Sequence, residues 1–109
     1  MTESASRSSW TFLTNHGCVL VCLASDPDAR LRDIAGRVGI TERAVQKILG
    51  DLEDAGIVTR TREGRRNHYV VHIDEPLPHP LLAHRSIGTL VHALQGPPNR
   101  GRRRLSDEP

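Results

Sequence analysis

A chain of 109 residues with 37% hydrophobic side chains and a formal net charge of +2 has room for one small domain, because a second core would leave neither half enough buried surface. No stretch approaches the roughly 18 to 20 uninterrupted apolar residues of a membrane span, and Met1 to Ser9 lacks the apolar centre of a secretory signal, which predicts a cytoplasmic protein with no membrane partner. The only aromatic residues are Trp10, Phe12 and Tyr69, so the core must come mainly from Leu, Val, Ile and Ala, which favours helices.

Residues 1–9 are rich in Ser and Thr and predict a disordered arm. A first helix follows from Thr14 or Asn15, either of which suits an N-cap, to Ala24. Its middle, Cys18-Val19-Leu20-Val21-Cys22-Leu23, is apolar on every side and belongs at the centre of a core. Asp26-Pro27-Asp28 breaks it. A second helix over Arg32 to Val38 puts Ile34, Ala35 and Val38 on one face, and Gly39 stops it. Thr41 caps a third helix whose apolar stripe, Ala44, Val45, Ile48, Leu49 and Leu52, ends at Ala55-Gly56, with Glu42, Arg43, Gln46 and Lys47 on the opposite face.

Two β-rich segments, Ile57 to Arg62 and Asn67 to Ile73, flank Glu63-Gly64-Arg65-Arg66 and read as a hairpin with a charged tip. Glu75 to Pro80, with three prolines at alternate positions, predicts an extended connector. The spacing of Ile87, Leu90, Val91 and Leu94 then predicts an amphipathic helix over Leu81 to Leu94, stopped by Gly96-Pro97-Pro98. The expected layout is a mainly α domain with a small β-hairpin over residues 10–74, a connector and final helix over 75–96, and a disordered tail over 97–109.

The segment from Leu31 to Leu49 meets the steric needs of a helix-turn-helix. Ala35 is small where the next helix crosses, Gly39 permits the sharp turn, and Ile34, Val38, Ile40, Val45 and Ile48 fill the wedge between the helices. Leu52 followed by Gly56-Ile57-Val58 carries the third helix into the hairpin. Together these residues resemble the winged helix-turn-helix transcriptional regulators of prokaryotes, in particular the MarR-like and ArsR-like families, over Thr14 to Ile73.

The resemblance implies a repressor-like homodimer on double-stranded DNA, with the third helix in the major groove, where each base pair presents its own donor and acceptor pattern. Thr41, Glu42, Arg43, Gln46 and Lys47 are its reading face: Arg43 suits guanine, Gln46 adenine, Lys47 guanine or phosphate, and Thr41 a phosphate. Arg60, Arg62, Arg65, Arg66, Asn67 and His68 form the wing, with Arg65 and Arg66 foremost on the backbone or in a narrow minor groove. Between Arg30 and His72 nine basic residues outnumber six acidic ones. The last helix takes the place of a dimerisation helix through Leu81, Ile87, Leu90, Val91 and Leu94, and its alternative role is a lid on its own domain.

Sharper chemistry finds less support. The ArsR-like metal sensors carry a cysteine pair on a DNA-binding helix, and Ala35 to Glu42 has none. Cys18 and Cys22, one turn apart, could hold a soft metal or respond to oxidation with His16, but read first as core residues. No metal or cofactor is expected. A small-molecule effector is left open, with Trp10, Phe12 and the first helix as its lining. No nucleophile, acid–base pair or metal set is arranged as an enzyme needs. The main competing function is a winged helix that docks other proteins, which would expose apolar rather than basic residues on the third helix.

Overall fold

The computed structural model describes residues 11–95, so Trp10, the N-terminal arm, the Gly96-Pro97-Pro98 stop and the tail lie outside the described residues. Helix α1 spans Asn15–Ser25 and begins at the predicted cap, where Thr14 accepts the Gly17 N–H on its Oγ1 at 3.2 Å. Val19, Leu20, Cys22 and Leu23 are buried along it. α1 packs against α2 (Leu31–Val38), α3 (Glu42–Asp54), β2 (Arg66–Val71) and α4 (Ile87–Gln95), which is why so little of its circumference is polar.

The two helices of the helix-turn-helix are joined by a single tight turn. Gly39 takes a left-handed conformation at φ 86°, and the N–H groups of Gly39 and Ile40 both donate to the Ala35 carbonyl, at 2.8 and 3.1 Å. A side chain at Gly39 would strain this backbone, so the turn selects glycine. Thr41 then caps α3 by accepting the Ala44 N–H at 3.0 Å. Val45, Ile48, Leu49 and Leu52 point inward from α3 and meet Ile34 and Ala35 of α2 in one cluster with the apolar face of α1.

Strand β1 (Val58–Glu63) pairs antiparallel with β2, in a register running from Val58↔Val71 to Glu63↔Arg66. The hairpin tip is therefore the two residues Gly64-Arg65 rather than the four expected. Gly64, at φ 65°, supplies the positive φ that a two-residue loop needs to match the twist of its strands. The second strand also stops at Val71, two residues short of the expected end, and the turn at Ile73 gives its carbonyl to the Gly88 N–H at 2.9 Å. Within the wing, Tyr69 is the anchor, 2% exposed, and its N–H donates to the Pro27 carbonyl of the α1–α2 loop at 2.9 Å.

The C-terminal region departs most from the sequence expectation. The helix expected over Leu81 to Leu94 begins only at Ile87. Residues 77–85 instead close a loop: Leu82 N–H donates to His79 O, Arg85 N–H to Leu82 O and Leu77 N–H to Arg85 O, while Pro76 bridges Ser86. The connector thus doubles back instead of remaining extended. Prolines at 76, 78 and 80 deny the preceding residues helical backbone, and Ser86 offers its hydroxyl to the Thr89 N–H at 3.3 Å, which sets the helix start. Ile87 and Val91 are then buried against the core at 1% and 4% exposure.

Candidate nucleic-acid interface

Helix α3 presents two chemically distinct faces. Its inner side is closed by Val45, Ile48, Leu49 and Leu52, while Thr41, Glu42, Arg43, Gln46 and Lys47 are all exposed, as the expected reading face requires. Arg43 and Gln46 have no partner among the described residues. Thr41 is committed as a cap acceptor and retains only its hydroxyl proton for donation. Lys47 is restrained: its Nζ lies 3.4 Å from Asp51 Oδ2, and the same oxygen accepts His16 Nε2 at 2.7 Å. The hydrogen bond from His16, with Lys47 nearby, holds the Asp51 carboxyl below its ordinary value.

The wing cations divide into braces and open groups. Arg60 grips Glu53 of α3 with two hydrogen bonds, Nε to Oε2 at 3.1 Å and Nη2 to Oε1 at 2.9 Å. This fork pushes the Arg60 guanidinium's pKa upward and ties the hairpin base to α3, so Arg60 positions the wing. Arg62 folds over the tip, its Nε donating to Gly64 O at 3.2 Å. Arg66 Nη2 donates to the Asp28 carbonyl at 3.1 Å, and His68 Nδ1 lies 2.8 Å from the Asp28 carboxylate. That carboxylate raises the His68 pKa. Arg65, at the tip, is exposed with no partner among the described residues, and Asn67 is half-buried beside it.

Three acidic residues therefore shape the basic surface without having been recognised in the sequence. The Lys47–Asp51 spacing of four on a helix was a usable signal. Glu53 and Arg60 are seven residues apart across a helix end, and Asp28 and His68 forty apart, which no local pattern reveals.

The residues expected at a dimer seam are not brought together. Ile87 and Val91 face the core of the chain itself, Leu90 is half-buried, and Leu81 and Leu94 are exposed at 73% and 46%, on the connector loop and on α4 respectively. Of the proposed sensor residues, Cys22 is buried and receives Arg37 Nη1 on its sulfur at 3.6 Å, Cys18 is half-buried, and His16 points its Nε2 to Asp51. Among the described residues no helix is long and apolar enough to cross a membrane.

Residues 19–59 match a family model described as winged helix-turn-helix DNA-binding. Among curated proteins, no sequence match reaches significance. Solved structures similar to this chain include the PcaV transcriptional regulator of Streptomyces coelicolor in complex with its natural ligand, at 21% identity and a TM-score of 0.50, covering 93% of this chain and 78% of that one. A Mycobacterium tuberculosis MarR-family protein in complex with salicylic acid is similar at 25% identity and a TM-score of 0.51, covering 86% and 73%. ZitR of Lactococcus lactis in complex with DNA gives 20% identity and a TM-score of 0.49 over 61% of this chain, which spans only 47% of that chain's length. The two capped helices about Gly39, the hairpin braced on α3 and the match of residues 19–59 to a winged helix-turn-helix DNA-binding model converge on one conclusion: the chain has the winged helix-turn-helix fold, which it shares with MarR-family transcriptional regulators of solved structure.

Proposed function

We propose that this chain is a transcriptional regulator that binds double-stranded DNA sequence-specifically as a homodimer. The observation that carries the reading is the exposed Arg43–Gln46–Lys47 face of α3, backed by a fully apolar inner face and flanked by a wing whose orientation is braced by Arg60 and Arg66. In this reading α3 enters the major groove, Arg43 and Gln46 meet base edges, and Arg65 leads the wing onto the backbone or minor groove. Each good base contact discriminates by about 1 to 3 kcal/mol, too little for a lone recognition helix, so two copies reading half-sites roughly 34 Å apart are expected. Leu81, Leu94 and the neighbouring Leu82 supply exposed apolar surface for the partner copy.

The test is selection of bound duplexes from a randomised pool, comparing the wild type with an R43A/Q46A/K47A variant. An enriched inverted repeat that disappears in the variant is the expected outcome. No enrichment, or enrichment indifferent to the substitutions, would overturn sequence reading by α3 and turn attention to protein docking.

A small, largely apolar effector forms a second part of the proposal. A cavity of about 260 Å³ lies between Phe12, α1, the end of α3 and α4, with Leu20, Leu52, Ile57 and Leu90 on its walls. Because its walls include both the α3 end and α4, an occupant would press on the reading helix and the C-terminal helix together. Leu20→Phe would fill the space, and loss of effector response with operator binding retained is the expected result.

A further inference from the structure

On the outer face of α3, Arg43 has no partner among the described residues, whereas Lys47 shares a carboxylate with α1. Its Nζ lies 3.4 Å from Asp51 Oδ2, one helical turn further on, and that same oxygen accepts a hydrogen bond from His16 Nε2 at 2.7 Å. The side chains of Lys47, Asp51 and His16 are 78%, 43% and 48% exposed. A proton can therefore reach or leave the group without any opening of the core. With Nε2 committed to Asp51, the proton that makes the ring a cation is carried by Nδ1, which has no hydrogen-bond partner among the described residues. Asp51 stays ionised over the range in which histidines titrate, because the His16 hydrogen bond, with Lys47 adding to it, holds its carboxyl below the ordinary value. With the imidazole protonated the three groups thus carry a net positive charge, and with it neutral they carry none.

The surroundings leave this balance to the three groups alone. Beside His16, the connector and α4 bring Leu77, Pro78, Ile87 and Leu90, none of which titrates. On α2, Arg37 is turned to Cys22 and Asp26 at the far end of α1. On β2, Arg66 and His68 are bonded to Asp28, and on α4 the His92 ring faces the Gly88 carbonyl. Glu53 of α3 is held by Arg60. Of the other charged groups on α2 and α3, Arg32, Asp33, Glu42, Arg43 and Asp54, none pairs with His16 or Asp51.

We infer that His16 is a positioning residue for the reading helix: its protonation decides whether Asp51 draws on Lys47 or leaves that ammonium to a DNA phosphate. The inference rests on the DNA-binding reading and adds to it a dependence on pH. A protonated imidazole meets the Asp51 charge from the α1 side, so Lys47 leaves no unmatched carboxylate when it turns to the duplex. A neutral imidazole keeps its N–H bond but leaves the Asp51 charge uncompensated, and that charge both holds Lys47 and repels phosphate. Linkage then fixes the sign: duplex binding is tightest with the ring protonated and weakens as rising pH removes that proton.

The test is the affinity of the full chain for a random-sequence duplex from about pH 5.5 to about pH 8 at constant ionic strength, the range around the ordinary histidine titration. The wild type is compared with H16Q, H16K, D51N and H68Q, with circular dichroism confirming each fold at both ends of the range. The wild type should bind several-fold more weakly at the upper end. H16Q keeps an N–H for Asp51 but no titrating charge, so it should bind weakly at both ends. H16K carries a fixed charge and should restore tight binding at both, a rescue that a purely structural role for the ring would not give. D51N should also bind tightly throughout, since no carboxylate is left to compensate. H68Q removes the wing histidine paired with Asp28 and should retain the wild-type profile.

A flat wild-type profile, or a wild-type profile that survives in H16Q or D51N, would overturn the inference. A profile lost in H68Q and kept in H16Q would do the same by assigning the dependence to the wing. A wild type that binds no duplex at any pH would instead overturn the DNA-binding reading, a result distinct from these.

Discussion

Single carboxylates decide how the basic residues of this domain are used. Asp51 lies within reach of Lys47 and accepts a hydrogen bond from His16, so it opposes phosphate at the same side chain. Asp51→Asn should therefore release Lys47 and tighten binding to a random duplex several-fold, and weaker or unchanged binding would remove Asp51 from this role. Asp28 acts on the wing in the opposite sense, by holding His68 protonated to higher pH than an unpaired imidazole, whose ordinary value is 6.5. A group whose pKa is raised on folding contributes stability that is complete below the unfolded value and lost as pH rises through the folded one. The His68–Asp28 link should thus loosen as pH rises through the His68 titration. A proton resonance titration should place His68 above 6.5, and Asp28→Asn should bring it back toward that value.

At the scale of elements, the helix-turn-helix depends on its glycine turn and on the inner stripe of α3. Replacing Gly39 by Ala should destabilise the fold by about 1 to 2 kcal/mol, because a Cβ is disfavoured at positive φ. Leu49→Ala should cost about 2 to 5 kcal/mol, since Leu49 is fully buried at the crossing of α3 with its neighbours. Urea denaturation measures both. The elements up to the wing were legible in the sequence because their signals are local: Thr14 and Thr41 as caps, Gly39 as a stop, and an apolar stripe from Val45 to Leu52. The last helix begins at Ile87, later than the sequence predicts, because the apolar pattern of Ile87, Leu90, Val91 and Leu94 continues back through Leu81 and Leu82 without a helix beneath it. There the chain is turned by bonds between residues 77 and 85, and helix initiation waits for Ser86.

For the whole molecule, the burial of Ile87 and Val91 changes how association should be tested. Removing everything from Leu81 onward would strip two core side chains from the domain, so a monomeric product would say nothing about a seam. Leu81→Asp with Leu94→Asp leaves the core intact and charges only exposed positions. Light scattering should show a dimer for the wild type and a monomer for the variant, and a persistent dimer would move the interface elsewhere. Close packing of α4 also appears at Gly88, where a Cβ would meet Ile73 at 3.0 Å, so Gly88→Val should loosen the contact between α4 and the end of the wing.

The sequence by itself determined the winged helix-turn-helix, the exposed polar face of α3 and the order of elements, because caps, glycine turns and side-chain periodicity act over a few residues. Tertiary structure alone decided which charges remain available and which apolar residues are buried. Arg60 is bound to Glu53, His68 and Arg66 to Asp28, and Lys47 is shared with an aspartate that also holds His16. Those pairings depend on the approach of segments up to forty residues apart, and the burial of α4's stripe depends on how the connector folds back. Such contacts leave no periodic trace in the chain, since they are set by the packing of finished elements rather than by the residues that form each one.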